Sequence, residues 1–99
     1  MEWLEKLYDE TEHVKVRFVG YATETSRFDF GLVFTNMFFG KPLVICMQTG
    51  RSALLDSEDV KNVEYLRKAF HLPSLSEAEH LAAIVEEYVP KHYFVHQYE

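Results

Sequence analysis

The stretch from residue 28 to residue 47 constrains this chain most. It reads Phe-Asp-Phe-Gly-Leu-Val-Phe-Thr-Asn-Met-Phe-Phe-Gly-Lys-Pro-Leu-Val-Ile-Cys-Met, with five of the eight phenylalanines and only Asp29 and Lys41 charged. Phe28, Phe30, Leu32 and Phe34 recur at period two, opposite Asp29, Gly31, Val33 and Thr35. That alternation is the signature of a strand with one buried face. Gly31 inside it points to a bulge or to a bulky group crossing closely. Residues 43–48 are almost continuously apolar, which implies a strand covered on both faces. The intervening turn, residues 36–42, carries Met37, Phe38 and Phe39. Turns are ordinarily polar and exposed, so this one is expected to be buried against something.

The flanking segments complete a meander. Residues 14–21 form a strand, with Val14, Val16 and Phe18 on one side and Lys15 and Arg17 on the other. Residues 22–26 are small and hydroxyl-rich and read as a hairpin turn. Residues 53–55 lead away in extended form. Residues 57–72 read as a helix capped by Asp56 or Ser57, with acids in its first turn and a buried stripe of Val60, Val63, Leu66 and Phe70; Pro73 ends it. A second helix opens on Ser76 and Glu79 as a capping box and buries Ala78, Leu81, Ala82, Val85, Tyr88 and Val89. Residues 1–12 have Trp3, Leu4, Leu7 and Tyr8 at helical spacing, which predicts a short amphipathic helix packed on the core. The aromatic segment 92–98 reads as a fourth strand or an arm.

Strands first and helices after define an α+β domain. The expectation is an antiparallel β-meander of three to four strands with two C-terminal helices packed on one face. Ninety-nine residues make one domain, 1–99, and 47% hydrophobic content argues for a packed globule. A net charge of −6 disfavours nucleic-acid backbones and anionic membrane surfaces. The aromatic sheet face is the one feature that suits single-stranded nucleic acid. With one cysteine, no intrachain disulfide forms, and no apolar stretch is long enough to span a bilayer. The expected location is the cytoplasm.

The polar chemistry is sparse. Thr49, Gly50, Arg51 and Ser52 form the best ligand site: a glycine turn with hydroxyls and a guanidinium can hold a small anion or nucleotide. The plainer account is a strand-ending turn whose arginine meets a carboxylate. Arg17, Arg27 and Asp29 belong to the same polar inventory and are expected to make a structural ion pair. Cys46, between Ile45 and Met47, reads as inert core rather than a nucleophile. The five histidines lack metal-ligand spacing; His92 and His96 are four apart but follow Pro90. Gly40 and Lys41 lack the rest of a phosphate loop. No metal, cofactor or catalytic residue is assigned.

Several runs carry a resemblance: residues 14–20 (Val-Lys-Val-Arg-Phe-Val-Gly), 27–31 (Arg-Phe-Asp-Phe-Gly), 35–42 (Thr-Asn-Met-Phe-Phe-Gly-Lys-Pro), 46–52 (Cys-Met-Gln-Thr-Gly-Arg-Ser) and 62–66 (Asn-Val-Glu-Tyr-Leu). Together they resemble a family of small Firmicutes proteins known only as a domain of unknown function (DUF3055-like). The resemblance extends to about Val89. It implies a cytosolic bacterial α+β protein and a homodimer, and it implies no activity.

The leading expectation is a non-enzymatic, homodimeric interaction or regulatory module, with an unidentified protein partner as a further prospect. Met37, Phe38, Phe39, Phe94 and Tyr98 are the expected self-contact, because a domain this small has too little chain to cover so many aromatics. The rival is a small-anion or nucleotide-binding protein, catalytic or not, that uses Thr49, Gly50, Arg51 and Ser52.

Overall fold

The computed structural model describes residues 3–89. Four strands, β1 (Lys15–Ala22), β2 (Arg27–Phe34), β3 (Leu43–Cys46) and β4 (Ser52–Leu54), form one sheet in the order β1-β2-β3-β4. Every neighbouring pair is antiparallel. Three helices follow: α1 (Ser57–Val60), α2 (Val63–Ala69) and α3 (Leu75–Glu86). The α+β meander expected from the sequence is therefore present, with residues 52–54 supplying the fourth strand. The segment 92–98 lies outside the described residues.

The period-two row of β2 sets the layers. Phe28, Phe30 and Leu32 are buried, with the Phe28 and Phe30 rings stacked at 6.0 Å. Register carries that face across the sheet: Val19 stands opposite Phe30 and Phe30 opposite Cys46, while Leu32 stands opposite Val44 and Val44 opposite Ala53. The helices cover it with Val60, Leu66, Phe70, Ala78, Leu81 and Val85. Cys46 is fully buried within this core.

β1 takes the parity opposite to the one its own sequence suggests. Arg17, Val19 and Tyr21 share the face of Leu32, Phe30 and Phe28, whereas Val16 and Phe18 point to the outer side. The reason is pairing: β2 must bury its phenylalanines, and register then fixes its neighbour. Polar ends on the helix side are satisfied by α3. Arg17 lies over the Tyr88 ring at 4.8 Å, and the Tyr21 hydroxyl donates to Glu87 at 3.2 Å and lies 3.2 Å from the Tyr88 hydroxyl. Hydrogen bonding with Tyr88, then burial, then Glu87, pushes the Tyr21 phenol up to about 12. At the other end of α3, Ser26 donates to Glu77 at 2.6 Å.

The helix expected over residues 57–72 is two helices. Asn62 breaks it by accepting from the Tyr65 N–H at 3.1 Å, which makes it the N-cap of α2. Asp56 and Asp59 form a reciprocal capping box on α1. The cap of α3 is Ser74, accepting from the Glu77 N–H at 3.2 Å, not Ser76. Both serines stand three residues before a glutamate, and the earlier cap adds two residues to the helix without moving Ala78, Leu81 or Val85 off the core. No helix forms over residues 3–12, where Trp3, Leu4, Leu7 and Tyr8 are all exposed. With no apolar surface of its own domain against it, a segment that short is not held helical.

Two predictions follow from the helix ends. Helix α2 closes in a Schellman turn, with Leu72 N–H to the Arg67 carbonyl at 2.9 Å and His71 N–H to the Lys68 carbonyl at 3.3 Å. His71 therefore sits at φ 59, a region glycine occupies without a Cβ penalty. His71→Gly should raise stability by about 0.5–1 kcal/mol, seen as a higher urea midpoint at unchanged slope; a lower midpoint would contradict the strain.

The cap of α1 makes the fold sensitive to acid. Burial acts to raise the Asp56 carboxyl, but bonds from Asp59 and the Lys41 ammonium 3.5 Å away outweigh it, and its pKa lies below the ordinary value. A depressed folded pKa adds stability above the unfolded pKa that is lost as pH falls through the folded one. Asp56→Asn keeps a capping acceptor but removes the titration. Its melting temperature should fall less steeply below about pH 4 than that of the parent; superimposable acid limbs would refute the role.

Candidate interaction surface

The outer face of the sheet is apolar, and among the described residues no helix lies over it. One row across it comprises Val16, Val33, Leu43 and Leu54; the next comprises Phe18, Gly31, Ile45 and Ser52. Neither row contains a charged residue. Phe18 is 76% exposed, and Val16 and Met47 are also exposed. Gly31 explains how this surface stays level. A Cβ there would stand 3.2 Å from the Met47 methyl and 3.4 Å from the Phe18 ring, so both side chains lie across the glycine. That is the close approach expected from a glycine within a strand.

A groove of about 320 Å³ continues the face, lined by Glu12, Val14, Val33, Thr35, Phe38, Leu43 and Leu54. Its rim is the turn after β2. Phe38, Phe39 and Gly40 have φ values of 53, 66 and 74, three consecutive left-handed residues, two of which carry a Cβ. The turn is not buried as its composition suggests: Phe39 is 90% exposed and Phe38 is about half exposed, while Met37 is partly buried. The helices pack on the opposite side of the sheet, so they cannot fold over it. Lys41 fastens the base of the turn to α1 through Asp59 at 3.3 Å and Asp56 at 3.5 Å.

The chain before β1 is pinned beside the groove. The Glu12 carboxylate accepts from the Thr35 hydroxyl and from the Asn36 N–H, and these bonds hold its pKa below the ordinary range. Residues 3–11 run out from that anchor, exposed throughout.

Of the expected self-contact residues, Phe38 and Phe39 are at the rim of this face, with Met37 partly buried beside them. Phe94 and Tyr98 lie outside the described residues. The rest of the face was hidden from sequence reasoning by the assumed parity of β1, which placed Val16 and Phe18 inside. The signal that could have found them is the apolar run of β3, whose Leu43 and Ile45 demand cover on the side away from the helices.

The Thr49-Gly50-Arg51-Ser52 turn is the exposed tip of the β3–β4 hairpin. Gly50, at φ 74, donates to the Cys46 carbonyl at 2.8 Å, and the Arg51 N–H donates to the Thr49 hydroxyl at 3.3 Å. Those two amides are thus used within the turn, and the Arg51 side chain is what it presents outward. Arg27, Asp29 and Gln48 form a separate cluster. Arg27 donates to Asp29 at 2.8 and 3.3 Å, and the Gln48 amide donates to Asp29 at 2.6 Å while accepting from its N–H. Arg27 first, then Gln48, holds the Asp29 carboxyl below its usual range. This is the structural pair expected of Arg27 and Asp29, whereas Arg17 is on the other face. Among the described residues no group of three or more histidine, cysteine or acidic side chains is arranged to hold a metal, and no helix is long and apolar enough to cross a membrane.

No curated protein matches the chain. A family model does: SAV0927-like, a family of uncharacterised proteins, matches residues 7–87, which include every strand and helix described above. Most of the chain is thereby accounted for, and it belongs to the SAV0927-like family.

Proposed function

We propose that this protein is a non-enzymatic homodimeric interaction module of the bacterial cytoplasm, and that the outer sheet face is its self-contact. The observation that carries the reading is the uncharged surface formed by Val16, Phe18, Val33, Leu43, Ile45, Leu54 and Met47, bordered by Phe38 and Phe39. Isolated exposed apolar residues are ordinary, but a contiguous patch across four strands marks a contact site. The strained turn supports it. A left-handed residue with a Cβ costs about 1–3 kcal/mol, and such strain persists where function holds it; here it keeps two phenylalanines at the rim. The resemblance described above favours a bacterial and cytosolic setting.

A dimer formed face to face here is isologous, each copy offering the same patch. Burying a large apolar side chain contributes about 1.5–3 kcal/mol, against about 4–15 kcal/mol lost in rigid-body freedom on association. No single residue suffices, and a charge in the middle of the patch is enough to undo it.

Light scattering behind size exclusion, over a dilution series, is the direct test. The parent should be a dimer at micromolar concentration. Phe18→Asp should weaken dimerisation by at least about 100-fold, the scale of one or two buried side chains. Phe38→Asp with Phe39→Asp should weaken it too, by a smaller factor. Circular dichroism should match the parent, since Phe18 is exposed in a single chain. A monomer at all concentrations, or a dimer indifferent to Phe18→Asp, would refute this contact.

A further inference from the structure

The segment before β1 and the outer sheet face are two exposed apolar surfaces of one chain. Trp3, Leu4, Leu7 and Tyr8 are exposed, Leu4 at 99%. Their spacing puts all four on one side of a helix, with Glu5, Lys6, Asp9 and Glu10 on the other. We propose that this arm docks its apolar side on the outer sheet face of a second copy, so that the dimer exchanges arms. The inference rests on the dimeric reading above and adds what fills its contact.

Three observations select a second copy over the arm's own sheet. The first is position. Glu12 is fixed to Thr35 and Asn36 beside the groove, and residues 3–11 are exposed throughout, so the arm does not lie on its own sheet. Residues 11–14, which join the arm to β1, read Thr-Glu-His-Val and hold no glycine or proline for a tight reversal onto that sheet.

The second is size. Nine residues in helical form are about 13 Å long. Four strands span three spacings of about 4.8 Å, or roughly 14 Å. The arm as one short helix therefore matches the width of the sheet, and gains there the packing that it lacks alone. The third is chemistry. Both central rows of the face are uncharged, and the charges of the arm fall on the side that would remain in water. The docked arm would give each sheet a helical layer on both faces.

Trp3 is the only tryptophan, so its emission reports the arm directly. The deciding experiment mixes two variants. A Phe18→Asp chain keeps Trp3 but spoils its own face, and a Trp3→Phe chain is dark but keeps a native face. Alone, the Phe18→Asp chain should show the emission of a water-exposed indole. Adding the Trp3→Phe chain should shift that emission to the blue, saturating as mixed dimers form by light scattering. Val16→Asp replaces Phe18→Asp if the latter unfolds.

No shift on mixing would overturn arm exchange. Blue-shifted emission from the Phe18→Asp chain alone would overturn it as well, because the arm would then be packed elsewhere. In the parent, a dimer whose Trp3 stays in water would remove the arm and leave the face-to-face dimer standing. A parent that is monomeric throughout would remove both.

Discussion

Everything in this fold depends on burying the row Phe28, Phe30 and Leu32 under the helices. The residues are adjacent on one face of a central strand, so they can be covered only together. Once they are, antiparallel register dictates which side each neighbouring residue takes. Val44, Cys46 and Val19 follow them inward, and Val16, Phe18, Leu43 and Ile45 are forced outward. The described residues supply enough helix for one face of the sheet and enough apolar side chains for two. The outer face is thus a consequence of the core rather than a separate feature.

The polar groups on the helix side fit the same account. Register places Lys15 and Arg17 on the core face of β1, and Arg17 reaches the edge, where the Tyr88 ring receives it. Tyr21 ends that strand with its hydroxyl between Glu87 and Tyr88. An amphipathic side chain at the margin of a layer can bury its body and keep its polar tip satisfied. These contacts close β1 against α3. On the far side no described residue makes such a closure, and the polar cluster of Arg27, Asp29 and Gln48 lies beyond the two apolar rows.

The elements that were legible in the sequence are those whose pattern is local. The period of β2, the hydroxyl-rich turn after β1 and the stripe of α3 all follow from neighbours a few residues apart. What could not be read locally was parity and termination. β1 has apolar residues on both sides, and only its pairing with β2 decides which side is inner. Asn62 splits one periodic stretch into two helices because a side-chain carboxamide competes for backbone N–H groups, a choice that Val60, Val63, Leu66 and Phe70 do not reveal. For the site, Phe38 and Phe39 were visible as an anomaly, and what the structure corrects is the expected burial of their turn: it is exposed, with the helices on the opposite side. The arm showed the same ambiguity. Its helical spacing was plain, but spacing does not say which surface it serves.

Energetics connect the arm to the face. The outer rows offer few side chains that are strongly exposed, and much of Val33, Leu43, Ile45 and Leu54 is already half-buried by neighbours. Against about 4–15 kcal/mol for association, such a patch alone supports a weak dimer. Each arm would add four large side chains to that contact, and one loss of rigid-body freedom is shared by both arms and by whatever the sheets contribute directly. Arm docking and dimer formation should therefore be coupled, each strengthening the other: the arm needs a second copy's face, and the face gains cover from the arm. In such a dimer Glu12, tied to Thr35 and Asn36, would fix the point from which the arm reaches for the second copy.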